Sequence, residues 1–147
     1  MTESDSRLRD LVAEHGWAVV AVPEDDEGPG FAYSVGLAER FGHPEVAVSG
    51  VPADLMHRLV NDAADLVASG TVLTDGARTG ALLVGYDCAA RAVAAGNYRE
   101  FFGAAERYYG GRPFRAVQVF WPDRDGRYPW EPGYASDEQT RMDQSTT

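Results

Sequence analysis

There is no lysine in this chain of 147 residues; all 13 basic side chains are arginine. That absence excludes whole classes of chemistry. No lysine Schiff base can form, so covalent attachment of pyridoxal phosphate and lysine-based aldolase mechanisms are ruled out. A Walker-type phosphate loop lacks its ammonium, and kinase-like phosphate handling lacks its strand lysine. Cysteine is almost as scarce: Cys88 stands alone, so no internal disulfide is possible. With three histidines and neither Cys-x-x-Cys nor His-Glu-x-x-His, a zinc site would need long-range assembly, and no metal ligand set is expected. Gly-x-Gly-x-x-Gly after a strand and the hydrolase elbow Gly-x-Ser-x-Gly are missing too, Ser49-Gly50 being only a strand end. No cofactor is expected. No apolar run approaches the roughly eighteen residues a membrane span needs. The opening MTESDSRLRD lacks the basic-then-apolar order of a secretory signal, and with one cysteine this points to the cytoplasm. Positive charge is also in deficit, 13 arginines against 23 carboxylates for a net charge of −10. Those arginines are scattered rather than gathered in a stripe, so neither nucleic acid nor a membrane is an expected partner.

Apolar residues make up 44% of the chain, enough for one domain to bury a core without metal or disulfide staples. Residues 6–15 form an amphipathic pattern with Ser6 as N-cap and Leu8, Leu11 and Val12 as its stripe. Residues 17–22 are a valine-rich run of strand length, followed by the acidic loop 23–30, which reads as solvated connection because it lacks calcium-loop spacing. Residues 31–36 alternate: Phe31, Tyr33 and Val35 on one face, Ala32, Ser34 and Gly36 on the other. A Gly42-His43-Pro44-Glu45 turn leads into a strand over 45–49, with Val46 and Val48 opposite Glu45, Ala47 and Ser49. The clearest helix follows Pro52, with Leu55, Met56, Leu59, Val60, Ala63, Ala64 and Val67 at intervals of three and four and a stop at Gly70. Two strands are predicted over 71–74 and 81–93, the second bending or breaking near Tyr86-Asp87. Cys88 within it reads as a small buried apolar residue.

Asn97 with Glu100 three residues later reads as a capping box for a helix to 109, whose Tyr98, Phe101, Phe102, Ala105, Tyr108 and Tyr109 form an aromatic face. Residues 114–121 read as a central strand covered on both faces: Phe114, Ala116, Gln118 and Phe120 on one, Val117, Val119 and Trp121 on the other. Residues 122–134 place three aromatics among prolines, an extended arm that must cover something. The expected organisation is a single domain over 1–135 and a disordered polar tail over 136–147. The expected fold is α+β: a mostly antiparallel β-sheet packed by two main helices, near 52–69 and 97–109, with a short N-terminal helix at one edge.

Gly16-Trp17, the run from Phe31 through Leu37, Gly42-His43-Pro44-Glu45, the run from Gln118 through Asp123, and Pro129-Trp130 occur in an order and spacing that resemble a bacterial family known as domain of unknown function 4262. The resemblance covers roughly 10–134. It implies a single α+β domain in soluble proteins and carries no activity, cofactor or mechanism.

Two functional readings follow. The first is a small cytoplasmic binding or accessory module with an aromatic-lined groove for a peptide, protein or small-molecule ligand, using Gln118, Trp121, Asp123 and Trp130. The second is a metal-free enzyme in which Tyr33, His43 and Glu45 form an acid–base site. Against the second stands a plain alternative, in which His43 and Glu45 hydrogen-bond the turn backbone and hold the hairpin. An enzyme would gather Tyr33, His43 and Glu45 around one concave pocket. A binding module would show an aromatic surface with these polar groups satisfied internally. The oligomeric state is not fixed by the residues.

Overall fold

Alternating apolar residues along the strands sort the molecule into two cores, one on each face of a single sheet. The structure, a computed structural model, describes residues 3–26, 28–134 and 139–144. Six strands, β1 (Ala18–Val22), β2 (Phe31–Val35), β3 (Glu45–Ser49), β4 (Arg78–Leu83), β5 (Tyr86–Ala92) and β6 (Ala116–Phe120), pair in the order β1-β2-β3-β6-β5-β4. All neighbours are antiparallel except β3 and β6, which run parallel with Glu45 beside Ala116 and Ala47 beside Gln118. The helices are α1 (Glu3–His15), α2 (Leu37–Phe41), α3 (Ala53–Ala68), α4 (Tyr98–Phe101) and α5 (Gly103–Tyr109). The fold is the α+β arrangement expected. Among the described residues no helix is long and apolar enough to cross a membrane.

One face of the sheet packs on α3. Ala32, Val46, Val48, Cys88, Ala90, Val117 and Val119 meet the stripe Met56, Leu59, Val60, Ala63, Ala64 and Val67. Each buried valine or leucine there contributes about 1.5–3 kcal/mol relative to exposure, which holds the helix far more than its intrinsic propensity does. The opposite face carries Tyr33, Val35, Ala47 and Ala116 against Leu8 and Val12 of α1 and Phe102, Ala105 and Tyr109. Its centre is the edge-to-face pair Tyr33 and Phe102, with ring centroids 4.8 Å apart. Strand β6 is buried along its whole length, as a covered central strand should be. Cys88 is buried, and desolvation lifts its thiol to about 11, so it stays a protonated, inert apolar group.

Five local expectations are corrected. Residues 71–74 form no strand; Leu73 is buried and gives its N–H to a histidine side chain instead of a ladder. The predicted strand 81–93 spans the end of β4, a turn at Val84 and Gly85, whose φ of +84° suits a glycine, and β5, so the break expected near Tyr86-Asp87 is a full hairpin reversal just before them. The helix expected over 97–109 breaks at Phe102, where φ −114° and ψ 37° let that ring drop into the core. Asn97 is no cap: its amide makes no capping bond and reaches out of the helix altogether. Helix α1 begins at Glu3, so Ser6 lies inside it.

Part of the stretch read from sequence as a polar tail over 136–147 falls within the described residues. Residues 139–144 lie against the sheet, with Gln139 and Met142 buried. A polar stretch without apolar period can still dock when one apolar residue and its backbone groups find partners. Residues 135–138 and 145–147 of that stretch lie outside the described residues.

Gly36 joins β2 to α2 with φ +119°, and a Cβ there would meet the Gly16 carbonyl oxygen at 2.8 Å and the Trp17 Cα at 3.0 Å. Both the conformation and the backbone contact exclude a side chain. Gly36→Ala should therefore destabilise the fold by about 2 kcal/mol or more, read as a lowered urea midpoint with unchanged slope. A loss under about 0.5 kcal/mol would refute this account of the junction.

Candidate functional site

Glu45 opens β3 with a fully buried carboxylate. Its Oε1 accepts from the Ser34 hydroxyl at 2.7 Å and the Leu37 N–H at 3.2 Å. Its Oε2 accepts from Gly36 N–H at 3.1 Å, from Ala38 N–H at 3.2 Å and from the Tyr109 hydroxyl. The two hydroxyls are aimed by backbone donors behind them, since Ser34 Oγ accepts from Val46 N–H and the Tyr109 oxygen from Gly36 N–H. Burial pushes the Glu45 carboxyl above the usual carboxylate range, and the bonds from Tyr109, Ser34, Ala38 and Gly36 oppose it. Burial, then the neighbouring Glu45 charge, push the Tyr109 phenol far up, so it remains a donor. Glu45 thus serves as a remote N-cap for α2, which has no side-chain cap of its own.

His43 is also committed internally. Its Nδ1 is 2.7 Å from the Pro44 carbonyl oxygen, and its Nε2 accepts the Leu73 N–H at 2.9 Å. This pattern fixes the neutral tautomer with the proton on Nδ1. Tyr33 is buried on the aromatic face, where its hydroxyl accepts the Ala104 N–H at 3.2 Å and burial raises its phenol. The three residues do not open onto one hollow: a cleft of about 370 Å³ touches His43 beside Pro44, Phe114 and Arg115, without Tyr33 or Glu45.

A second polar row crosses the same sheet face as Glu45, at the other end of β3. Ser49 and Gln118 are both buried in the sheet, and they read the backbone of residues 139–144. Gln118 Oε1 accepts the Met142 N–H at 2.8 Å, while its Nε2 donates to the Thr140 carbonyl and lies 3.3 Å from Ser49 Oγ. Ser49 Oγ accepts the Thr140 N–H at 2.8 Å. Asn97, wholly buried, donates through Nδ2 to the carbonyls of Met142 at 2.8 Å and Gln144 at 2.7 Å. Its Oδ1 is the buried side-chain polar atom left without a partner among the described residues. Gln139 returns the gesture, its amide bridging the Trp121 N–H at 3.0 Å and carbonyl at 2.8 Å.

The aromatic arm closes one side. Trp130 stacks on Tyr128 at 5.0 Å and meets Phe120 edge-on at 5.3 Å. The Arg91 guanidinium lies over the Trp130 ring at 4.3 Å, and its Nε is 3.3 Å from the Asp143 carboxylate. Arg141 grips that same carboxylate with two bonds of 2.7 and 2.9 Å. Asp123 does not face this row; its carboxylate accepts the N–H groups of Asp125 and Arg127 and closes the turn before the arm. On the other side, beyond Thr140, opens a cleft of about 320 Å³ walled by Val22, Pro23, Pro29, Phe31 and Phe101. Phe31 and Phe101 meet edge-to-face there at 5.3 Å.

A family model described as Domain of unknown function (DUF4262) matches residues 11–135. The chain belongs to that family. No curated protein and no solved structure matches it. The matched stretch of this DUF4262 chain contains Ser49, Arg91, Asn97, Gln118 and Trp130, whereas residues 139–144 lie beyond it. Of the residues singled out from sequence, Gln118 and Trp130 both meet residues 139–144, Trp121 joins only through its backbone with its indole against the α3 core, and His43 and Trp130 sit at opposite ends of the parallel pair β3 and β6. Sequence reasoning missed Ser49, Asn97 and Arg91. The one available signal was Gln118, an amide inside a strand otherwise covered on both faces.

Replacing Glu45 with alanine leaves three backbone donors and two hydroxyls buried without their acceptor. Glu45→Ala should cost about 3–5 kcal/mol, and His43→Ala, which orphans only the Leu73 N–H, about 1–3 kcal/mol, both measured by chemical denaturation. Equal, negligible losses would contradict the internal roles assigned to both side chains.

Proposed function

We propose that this DUF4262 protein is a small cytoplasmic binding module that takes a peptide segment of a protein partner in the groove between β2, β6 and the aromatic arm. The observation that carries the reading is the continuity of an apolar cleft with a polar row. The Phe31–Phe101 cleft opens at Thr140 onto Ser49 and Gln118, so one path offers aromatic walls first and backbone-reading amides next. Peptide grooves combine these two elements, apolar pockets for side chains and fixed polar groups for the main chain. The net charge of −10 disfavours a phosphate-bearing partner and is compatible with a polypeptide.

The rival acid–base reading lacks a free proton acceptor. Both ring nitrogens of His43 and both carboxylate oxygens of Glu45 are already engaged, and Tyr33 faces the aromatic core. A general base must reach a substrate proton in a plausible pose, and none of the three is presented to a cleft together with another.

The test is a thermal-shift and anisotropy screen of short peptides against the full chain and its Phe101→Ala variant. Phe101 is half-buried at the cleft wall and packs only on the rim of the aromatic core, so the variant's fold is checked alongside by its thermal midpoint. Peptides that bind the parent should lose about tenfold or more in affinity to Phe101→Ala, the effect of removing one aromatic anchor. Binding unchanged in the variant, or no peptide bound at all, would remove this reading.

A further inference from the structure

We infer that residues 139–144 are a displaceable occupant of the polar row, standing in for a partner peptide that presents an apolar residue followed by a carboxylate within a tight turn. This rests on the binding-module reading above and names the chemistry of its ligand.

Much of what the seat reads is main chain. Gln118, Ser49 and Asn97, together with the Ala94 N–H at 2.9 Å from the Met142 carbonyl, bond to backbone groups that any peptide carries. Four side chains of the segment are engaged as well: the Gln139 amide bridges the Trp121 N–H and carbonyl, Arg141 lies 5.8 Å over the Trp130 ring, and Met142 and Asp143 supply apolar volume and charge. Met142 is fully buried in the aromatic core, and Asp143 meets Arg91 under Trp130. The segment turns on itself, with Met142 N–H 3.2 Å from the Thr140 carbonyl and Gln144 N–H 3.3 Å from the Arg141 carbonyl. A ligand that replaces it must therefore be turn-forming, with an apolar side chain at the Met142 position and an acid next to it.

Three further observations separate occupant from seat. Residues 139–144 form no strand and belong to no ladder of the sheet, so their departure breaks none of the strand pairings. They lie outside the family match, which contains every seat residue. They also leave the buried Asn97 Oδ1 unpaired, an acceptor that a donor on a better-fitting ligand would meet. The adjoining Phe31–Phe101 cleft gives an incoming peptide a foothold before the segment leaves.

The experiment uses the full chain and a fluorescein-labelled peptide copying residues 139–144. Hydrogen exchange on the parent should show the amides of 139–144 exchanging about 100-fold or more faster than those of β3 and β6, because their opening is local. By anisotropy, the peptide should bind Asp143→Ala about tenfold or more tighter than the parent, since the internal competitor has lost its clamp. Adding Arg91→Ala to that variant should abolish the gain. Exchange of 139–144 at the rate of the core overturns the inference, and needs no variant to do so. Equal peptide binding by parent and Asp143→Ala, or no binding by either, also overturns it. Those outcomes are distinct from failure of the binding-module reading, which is decided by whether peptides bind in a Phe101-dependent way.

Discussion

The carboxylate of Glu45, buried and surrounded by five donors, is the constraint on which the rest of this fold depends. A buried acid is tolerable only where its oxygens are satisfied, and here the satisfying groups come from β2, the start of α2 and the end of α5. Helix α2 has five residues, too few to persist by its own hydrogen bonds. Its leading N–H groups depend on a side chain from the strand that follows it. Once α2 is pinned, the Gly42 turn is placed, His43 reaches Leu73, and the connection after α3 is tied to the sheet. Sequence, local structure and tertiary packing are thus linked through one side chain.

Strand β3 carries polar groups at both ends of the same face, and the two ends are treated differently. At Glu45 the domain supplies every partner itself. At Ser49, with Gln118 on the neighbouring strand, the partners are backbone groups of residues 139–144. The first end is closed by elements within the family match, the second by a segment beyond it. The same geometry, an inward polar residue at a strand end, is therefore closed by the fixed scaffold in one place and by the segment 139–144 in the other. What differs is whether the donors and acceptors around it belong to the fixed scaffold.

Much of the scaffold was legible because it rests on short-range periodicity. Alternation over residues 31–35, 45–49 and 116–120 gave the strands and their faces, and the three-four spacing after Pro52 gave α3. Long-range satisfaction of polar groups left no such trace. Asn97 and Glu100 have the spacing of a capping box, yet the Asn97 amide serves residues more than forty positions away. Residues 71–74 look like a strand by composition, but the Leu73 N–H is claimed by His43. Met142 is a single apolar residue in a polar run, which carries no period at all, and its burial depends on a pocket built by other elements. In the candidate site, Gln118 stood out as an amide in an apolar strand and Trp130 as an aromatic in a proline-rich arm. Arg91 and Ser49 fit theirs, so nothing local marked them.

The polar row also dictates what kind of occupant it will accept. An apolar groove can stand partly empty at modest cost, but buried amides and hydroxyls are costly to leave without partners. The groups of Gln118 and Ser49 and the Asn97 Nδ2 are met by the chain's own segment, and would otherwise call for water or a ligand, whereas Asn97 Oδ1 stands unmet among the described residues. Any exchange among these replaces one set of hydrogen bonds by another of similar strength, so those bonds contribute little to the preference between occupants. The choice then falls on the features water cannot supply: the apolar volume that Met142 fills, and the negative charge held by Arg91 against the face of Trp130. Shape and charge at two adjacent positions would set selectivity, while the amides fix only orientation and register.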